Sequence, residues 1–221
     1  TETTPALTIN RPDDFKFGTV GKPIPGCQIT IAPDGEIFAR GPNVAQGYYK
    51  RPRETAEAWD EQGWFHTGDI GEFDSEGFLR ITDRKKDLIK TSGGKYVAPQ
   101  KIENLLKTQP HISQAIVIGN NRKYVTALLT LDEDSARTLG ERHGIGPGER
   151  DKLVRNPDVL QLVEHQVAEV NRKLASFESI KYFRLLPGEL SEAAGELTPS
   201  LKIKRKVVEA RYSDLIQEMY G

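Results

Sequence analysis

At Asp83 the pattern of this chain changes, and that change constrains the fold more than any other feature. From residue 18 to 82, glycine and proline cut the sequence into short apolar runs, as in GTVGKPIPGCQITIAPDGEIFARGPN. Such runs suit strands and tight turns. Gln28 to Ile31 and Glu36 to Ala39 flank Ala-Pro-Asp-Gly. Pro33 presets φ and Gly35 accepts a positive φ, so a hairpin is expected there. A second turn, Asp74-Ser-Glu-Gly77, lies between Ile70–Phe73 and Phe78–Thr82. With the polar, irregular residues 1–20 ahead of it, residues 1–82 read as a small, twisted β unit.

Beyond Asp83 strands and helices alternate. Leu88–Lys90 and Tyr96–Val97 flank a glycine turn, and Pro99 opens a helix with Ile102, Leu105 and Leu106 on one face. Ile112–Gly119 and Tyr124–Leu131 form a second apolar pair. Asn156 caps a helix over 157–174, in which Val159, Val163, Val167, Val170 and Leu174 keep helical spacing. Val208, Tyr212, Leu215 and Met219 mark a terminal helix. The fold class expected is α+β: residues 1–82 as the β unit, 83–84 as a hinge, and 85–221 as a small α+β domain.

Composition excludes several functions. With 31 basic and 32 acidic residues the chain has no global field to hold nucleic acid or anionic lipid. The single cysteine, Cys27, cannot form an internal disulfide, and the chain has no Asn-x-Ser/Thr sequon, so a reducing, intracellular setting is expected. No apolar run approaches the roughly 20 residues that span a bilayer. The opening Thr-Glu-Thr-Thr-Pro reads as a cut through a larger protein.

The candidate site residues fall in four groups, each with a plain structural alternative. Asp69, after Thr67-Gly68, could accept hydrogen bonds from both hydroxyls of a ribose, or could close an Asx turn at a strand exit. Asp83-Arg84-Lys85-Lys86-Asp87 read alone is a solvated turn whose ion pairs contribute about 0–1 kcal/mol each. Ser92-Gly93-Gly94-Lys95 lacks the spacing of a phosphate-binding P-loop and reads as a tight hairpin. Between 198 and 211 stand five basic residues, Lys202 among them, and one acidic residue. That segment could be a solvated helix start, a nuclear-localisation-like cluster or a phosphate-binding patch. The histidines show no metal-ligand spacing, and His66 reads as a packing residue. Trp59, Trp64, Tyr48 and Tyr49 read as core and sheet-face aromatics.

Taken in order, Trp-Phe-His-Thr-Gly-Asp69, Asp83-Arg-Lys-Lys-Asp87, Ser92-Gly-Gly-Lys-Tyr-Val-Ala-Pro99 and Leu197-Thr-Pro-Ser-Leu-Lys-Ile-Lys-Arg-Lys206 resemble the acyl-adenylate-forming enzymes, most closely the long-chain acyl-CoA synthetases. The likeness runs from the first residues to about 202. It implies that residues 1–82 end a large domain and that 85–221 form a mobile lid. In such an enzyme Asp69 holds the ribose of ATP and of the acyl-adenylate, Arg84 approaches the nucleotide, and Asp83 is the hinge. Lys202 is the catalytic lysine of adenylation. Many members have Gly-Lys there; Leu201-Lys202 is the form of the long-chain branch. Gly93, Gly94 and Lys95 line the thioester-forming side, where CoA enters. Thr1 and Glu2 look like the end of a Tyr-Gly-x-Thr-Glu motif, the threonine on phosphate and the glutamate on Mg²⁺.

The function implied is an ATP-dependent ligase of long-chain fatty acids to CoA, with this chain inactive without the rest of its polypeptide. The location implied is cytoplasmic, with peripheral membrane contact through the substrate and no nucleic-acid partner. Two alternatives stand beside it. One is a fatty acyl-AMP ligase or other acid:CoA ligase of the same superfamily. The other is a non-catalytic module docking anions on Lys202–Lys206.

Overall fold

In the computed structural model, which describes residues 1–221, both expected glycine turns close hairpins of one antiparallel sheet. A small ribbon precedes it, β1 (Thr8–Ile9) with β2 (Lys22–Pro23). The sheet follows as β3 (Gln28–Ile31), β4 (Glu36–Arg40), a helix α1 (Pro52–Ala58), β5 (Phe65–Phe73) and β6 (Leu79–Arg84), in the order β3-β4-β5-β6. Gly35 and Gly77 take φ of +87° and +82°, the left-handed region that glycine enters without a Cβ clash. Asp74 closes the second turn by accepting from the amides of Glu76 and Phe78. Lys16 pairs with its other oxygen at 2.8 Å, and that bond is the main reason the Asp74 carboxyl falls from 3.8 to about 2. Ile37, Ala39, Phe65 and Leu79 make the buried face.

β5 begins at Phe65, five residues before the strand expected from Ile70. The Thr67-Gly68 pair does not end the strand. Gly68 has φ +70°, and against β4 the pairing jumps from Phe38–His66 to Glu36–Ile70, so Thr67, Gly68 and Asp69 oppose Ile37 alone and bulge from the ladder. The helix α1 has Pro52 at its start, no side-chain cap and no buried residue. With no apolar face it left no periodic signal in the sequence.

The chain divides into two units, Thr1–Leu88 and Ile89–Gly221. A short 3₁₀ turn, Lys85–Asp87, ends the first. The second opens with β7 (Ile89–Lys90) and β8 (Tyr96–Val97), the expected hairpin, followed by α2 (Pro99–Lys107). Then come β9 (Ile112–Ile118), β10 (Val125–Leu131), α3 (Glu133–Arg142), α4 (Arg150–Leu153), α5 (Pro157–Asn171) and β11 (Ile180–Leu186). Two helices end the chain, α6 (Arg205–Arg211) and α7 (Ser213–Tyr220). The three-stranded sheet has β10 in the centre, antiparallel to β9 and parallel to β11.

Every residue of β10 is buried, because helices cover both faces of the sheet. Ala127 and Leu129 join Ile102 and Leu106 of α2 and Val159, Val163 and Val170 of α5 in one core. Leu128 turns the other way, to Val208, Ile216 and Met219 of α6 and α7. At about 1.5–3 kcal/mol for each large apolar side chain fully buried, these stripes drive the assembly.

Two helix ends differ from expectation. Asn156 does cap α5, accepting from the amides of Asp158 and Val159. The helix stops at Asn171, three residues early, because the Asn171 side chain bonds both the carbonyl and the amide of Ile180 and leads the chain into β11. The expected terminal helix is broken at Tyr212, whose φ of −105° and ψ of 26° leave the helical range.

Candidate functional site

Asp69 and Arg84 stand opposite one another on β5 and β6, and Arg84 Nε meets Asp69 Oδ1 at 2.6 Å. The bulge turns Asp69 towards a cavity of about 250 Å³, whose walls include Thr3, Ile37, Thr67, Leu79 and Ile81. Thr67 braces the bend: its hydroxyl donates to the Ile37 carbonyl and accepts from the Asp69 amide. Burial raises the Asp69 carboxyl above its usual range; Arg84 opposes this, and the neighbouring Glu36 adds to it. An Asp so placed is held as an acceptor at a cavity mouth beside a guanidinium fork, a geometry that suits a hydroxylated, anionic ligand.

Glu36 belongs to this site, as does Lys85 of the Asp83–Asp87 turn, and their pairing had no signal in the sequence. Glu36 is 3% exposed. One of its oxygens accepts from the Gly68 amide at 3.0 Å, and the other meets Lys85 at 2.6 Å. Lys85 also pairs with Asp34 at 2.8 Å. The partners lie 32 and 49 residues from Glu36 in sequence, so only the folded sheet brings them together. Asp83, the expected hinge, is 1% exposed in β6, and its carboxylate accepts from the Arg84 amide.

Thr1 and Glu2 lie in the same unit. Glu2 is fastened through its carbonyl to the Ala45 amide and through its carboxylate to the Tyr48 hydroxyl at 3.0 Å. Hydrogen bonds from its own backbone amide and from Tyr48 hold its carboxyl below the usual value. No cluster of three or more metal-ligating side chains exists. The Glu2 carboxylate is an oxygen donor of the type a magnesium ion takes. Among the aromatics, His66 stacks on Phe38 at 4.0 Å and Trp59 packs on Phe65. Tyr48 and Tyr49, expected among the core and sheet-face aromatics, are 39% and 87% exposed.

In the second unit the hairpin turn at Gly93-Gly94 is stapled by Thr91, whose amide donates to the Lys95 carbonyl and whose carbonyl accepts from Gly94. Gly94 has φ +77°. Lys95 lies over the Phe177 ring at 5.8 Å. Lys202 is exposed near the tip of a second, irregular hairpin. There Leu197 bridges Ile203, the Thr198 amide donates to the Lys202 carbonyl, and the Lys202 amide donates to Thr198 Oγ1. Leu201 closes the turn at φ +59° with 72% of its surface exposed.

The second unit is thus a three-stranded sheet between helices with a lysine-tipped arm, and the first presents the Asp69 carboxylate at a cavity with the Arg84 guanidinium beside it. The model of the AMP-binding enzyme C-terminal domain matches residues 86–221, and the chain belongs to that family. It is 41% identical over 220 residues to the long-chain-fatty-acid–CoA ligase FadD15 of Mycobacterium tuberculosis, covering 99% of this chain and 36% of the relative. It is 34% identical to long-chain-fatty-acid–CoA ligase 1 of Homo sapiens, over 100% of this chain and 34% of that one. The chain thus spans little more than a third of the curated relatives it matches. Among solved structures it is similar to apo MatB from Rhodopseudomonas palustris, with a TM-score of 0.67 and 26% identity over 97% of this chain and 40% of that one. It is similar also to o-succinylbenzoate coenzyme A synthetase (MenE) from Bacillus subtilis in complex with AMP, with a TM-score of 0.62 and 28% identity over 93% of this chain and 38% of that one. No helix is long and apolar enough to cross a membrane.

Two outcomes follow from this geometry. The folded-state pKa of Asp69 is raised, so its contribution to stability is present below its unfolded value and is lost as pH rises through the folded value. Asp69→Asn is expected to raise the melting temperature at neutral pH, with the gain vanishing in acid; a lower melting temperature at neutral pH would show that the Arg84 pair outweighs burial. A left-handed leucine costs about 1 kcal/mol, so Leu201→Gly is expected to stabilise the chain by roughly that amount. A denaturant midpoint that rises with unchanged slope would agree, and a falling midpoint would refute it.

Proposed function

We propose that the chain supplies the nucleotide-holding edge and the mobile lid of an ATP-dependent long-chain fatty acid:CoA ligase. The observation that carries this reading is the Asp69–Arg84 pair, 2.6 Å across adjacent strands at a cavity mouth. The kinship with curated long-chain ligases over essentially the whole chain supports it.

In the first step the fatty carboxylate attacks the α-phosphorus of ATP; its oxygen bonds to phosphorus and pyrophosphate leaves. Asp69 takes the ribose hydroxyls and Arg84 the nucleotide, while the Lys202 ammonium steadies the negative charge that grows between carboxylate and phosphate. Thr1 contacts phosphate. Glu2 would hold the magnesium ion, which when bound would supply neutralisation of part of the triphosphate charge. The second unit then turns about Asp83, a few torsions absorbing the motion. Lys202 withdraws, and the side-chain-free backbone at Gly93 and Gly94, with Lys95 beside it, borders the path of CoA. The CoA thiolate attacks the acyl carbonyl, the acyl–phosphate bond breaks, and AMP leaves. A carrier-bound thiol in place of CoA would use the same residues.

The test uses the intact protein and two separate half-reactions. Lys202→Ala is expected to lower adenylation by about 100-fold or more, in line with removal of one preorganised charge-stabilising group, while supplied acyl-AMP is still converted to acyl-CoA. Equal loss in both steps, or loss in neither, would remove the lysine from this role.

A further inference from the structure

Lys202 is reactive only if its ammonium arrives at one place, yet it sits on an exposed loop. The structure resolves this at the two feet of the arm. Pro199, Ser200, Leu201 and Lys202 are exposed, whereas Glu196 and Leu197 at the near foot are buried. Glu196 is 2% exposed and accepts from the Ser191 amide, from the Tyr212 hydroxyl at 3.0 Å and from Arg211 at 3.2 Å. Its own carbonyl accepts from the Lys204 amide, closing the arm across its base.

The far foot is Arg205, at the start of α6. One of its nitrogens donates to the Val117 carbonyl at 2.7 Å and another to Glu103 Oε1 at 2.7 Å. The same Glu103 oxygen accepts from the Val117 amide at 2.8 Å. Glu103, on α2, is 6% exposed. β9 ends the sheet, so the Val117 amide and carbonyl face away from β10 and would be orphaned without this pair.

We propose that Arg205 and Glu103 are positioning residues for adenylation, fixing the reach of Lys202 by clamping the base of its arm to the edge of β9. This rests on the reading of Lys202 given above. A buried ion pair adds little net stability compared with an apolar pair of similar size, so stability alone does not account for a charge placed at this position. What the pair supplies is one defined geometry: a planar fork with two acceptors, three residues from the lysine. The Lys202 side chain remains free to move, but the origin of its motion does not. A displacement of about 1 Å at such a group costs on the order of 10²-fold in rate.

The experiment measures both half-reactions and thermal unfolding in the intact protein for wild type, Lys202→Ala, Arg205→Met and Glu103→Gln. Glu103→Gln keeps an acceptor for Val117 and removes only the charge, so it reports even where Arg205→Met does not fold. Adenylation is expected to fall about 10–100-fold in Arg205→Met and less in Glu103→Gln, with conversion of supplied acyl-AMP within about threefold of wild type. A merely structural role would lower the melting temperature and both half-reactions together, and that result, or unchanged adenylation in Glu103→Gln, overturns the proposal. If Lys202→Ala itself shows no selective loss of adenylation, the underlying assignment of the lysine fails instead, so the two failures are told apart.

Discussion

A buried carboxylate that accepts from a backbone amide and pairs with a cation recurs in this chain, at the bend that carries Asp69 and at both feet of the Lys202 arm. Glu36 joins the Gly68 amide to Lys85 and so sets the bend that carries Asp69. Glu103 joins the Val117 amide to Arg205 at one foot of the Lys202 arm. Glu196 joins the Ser191 amide to Arg211 and Tyr212 at the other. An unpaired charge in these places would cost several kcal/mol. Each carboxylate therefore tolerates one arrangement of its neighbours, and flexible, polar loops acquire fixed geometry without an apolar core of their own.

The apolar framework serves a different end. β10 is buried along its whole length between two helix layers, and that makes the second unit a stable platform. The residues that face outward from the platform, Gly93, Gly94 and Lys202, lie on two hairpins at its surface. Leu201 at φ +59° holds a conformation that glycine would take without cost, one residue before the lysine.

Much of this organisation was legible in the sequence, for reasons tied to particular residues. The β3–β4 and β5–β6 hairpins were announced by Gly35 and Gly77, because turn chemistry is local. The Asn156 cap and the valine stripe of α5 were visible for the same reason. The length of β5 was not, since Gly68 reads as a turn unless its partner strand is known. The end of α5 at Asn171 depends on a bond to Ile180, and the break at Tyr212 falls inside a helical apolar pattern. For the site, Asp69, Arg84 and Lys202 could be picked out through family resemblance. Glu36 and Glu103 could not, and Lys85 and Arg205 showed only as members of charged runs, because the partners of these residues lie up to 102 residues away.

The central claim is that a fatty carboxylate oxygen bonds to the α-phosphorus of ATP. The most direct measurement follows that oxygen: the intact protein is given a long-chain fatty acid labelled with ¹⁸O in its carboxylate, with Mg·ATP and CoA, and the products are weighed by mass spectrometry. The account predicts acyl-CoA together with AMP carrying one ¹⁸O. Label in orthophosphate with ADP as the nucleotide product, or acyl-CoA formed with unlabelled AMP, would contradict it.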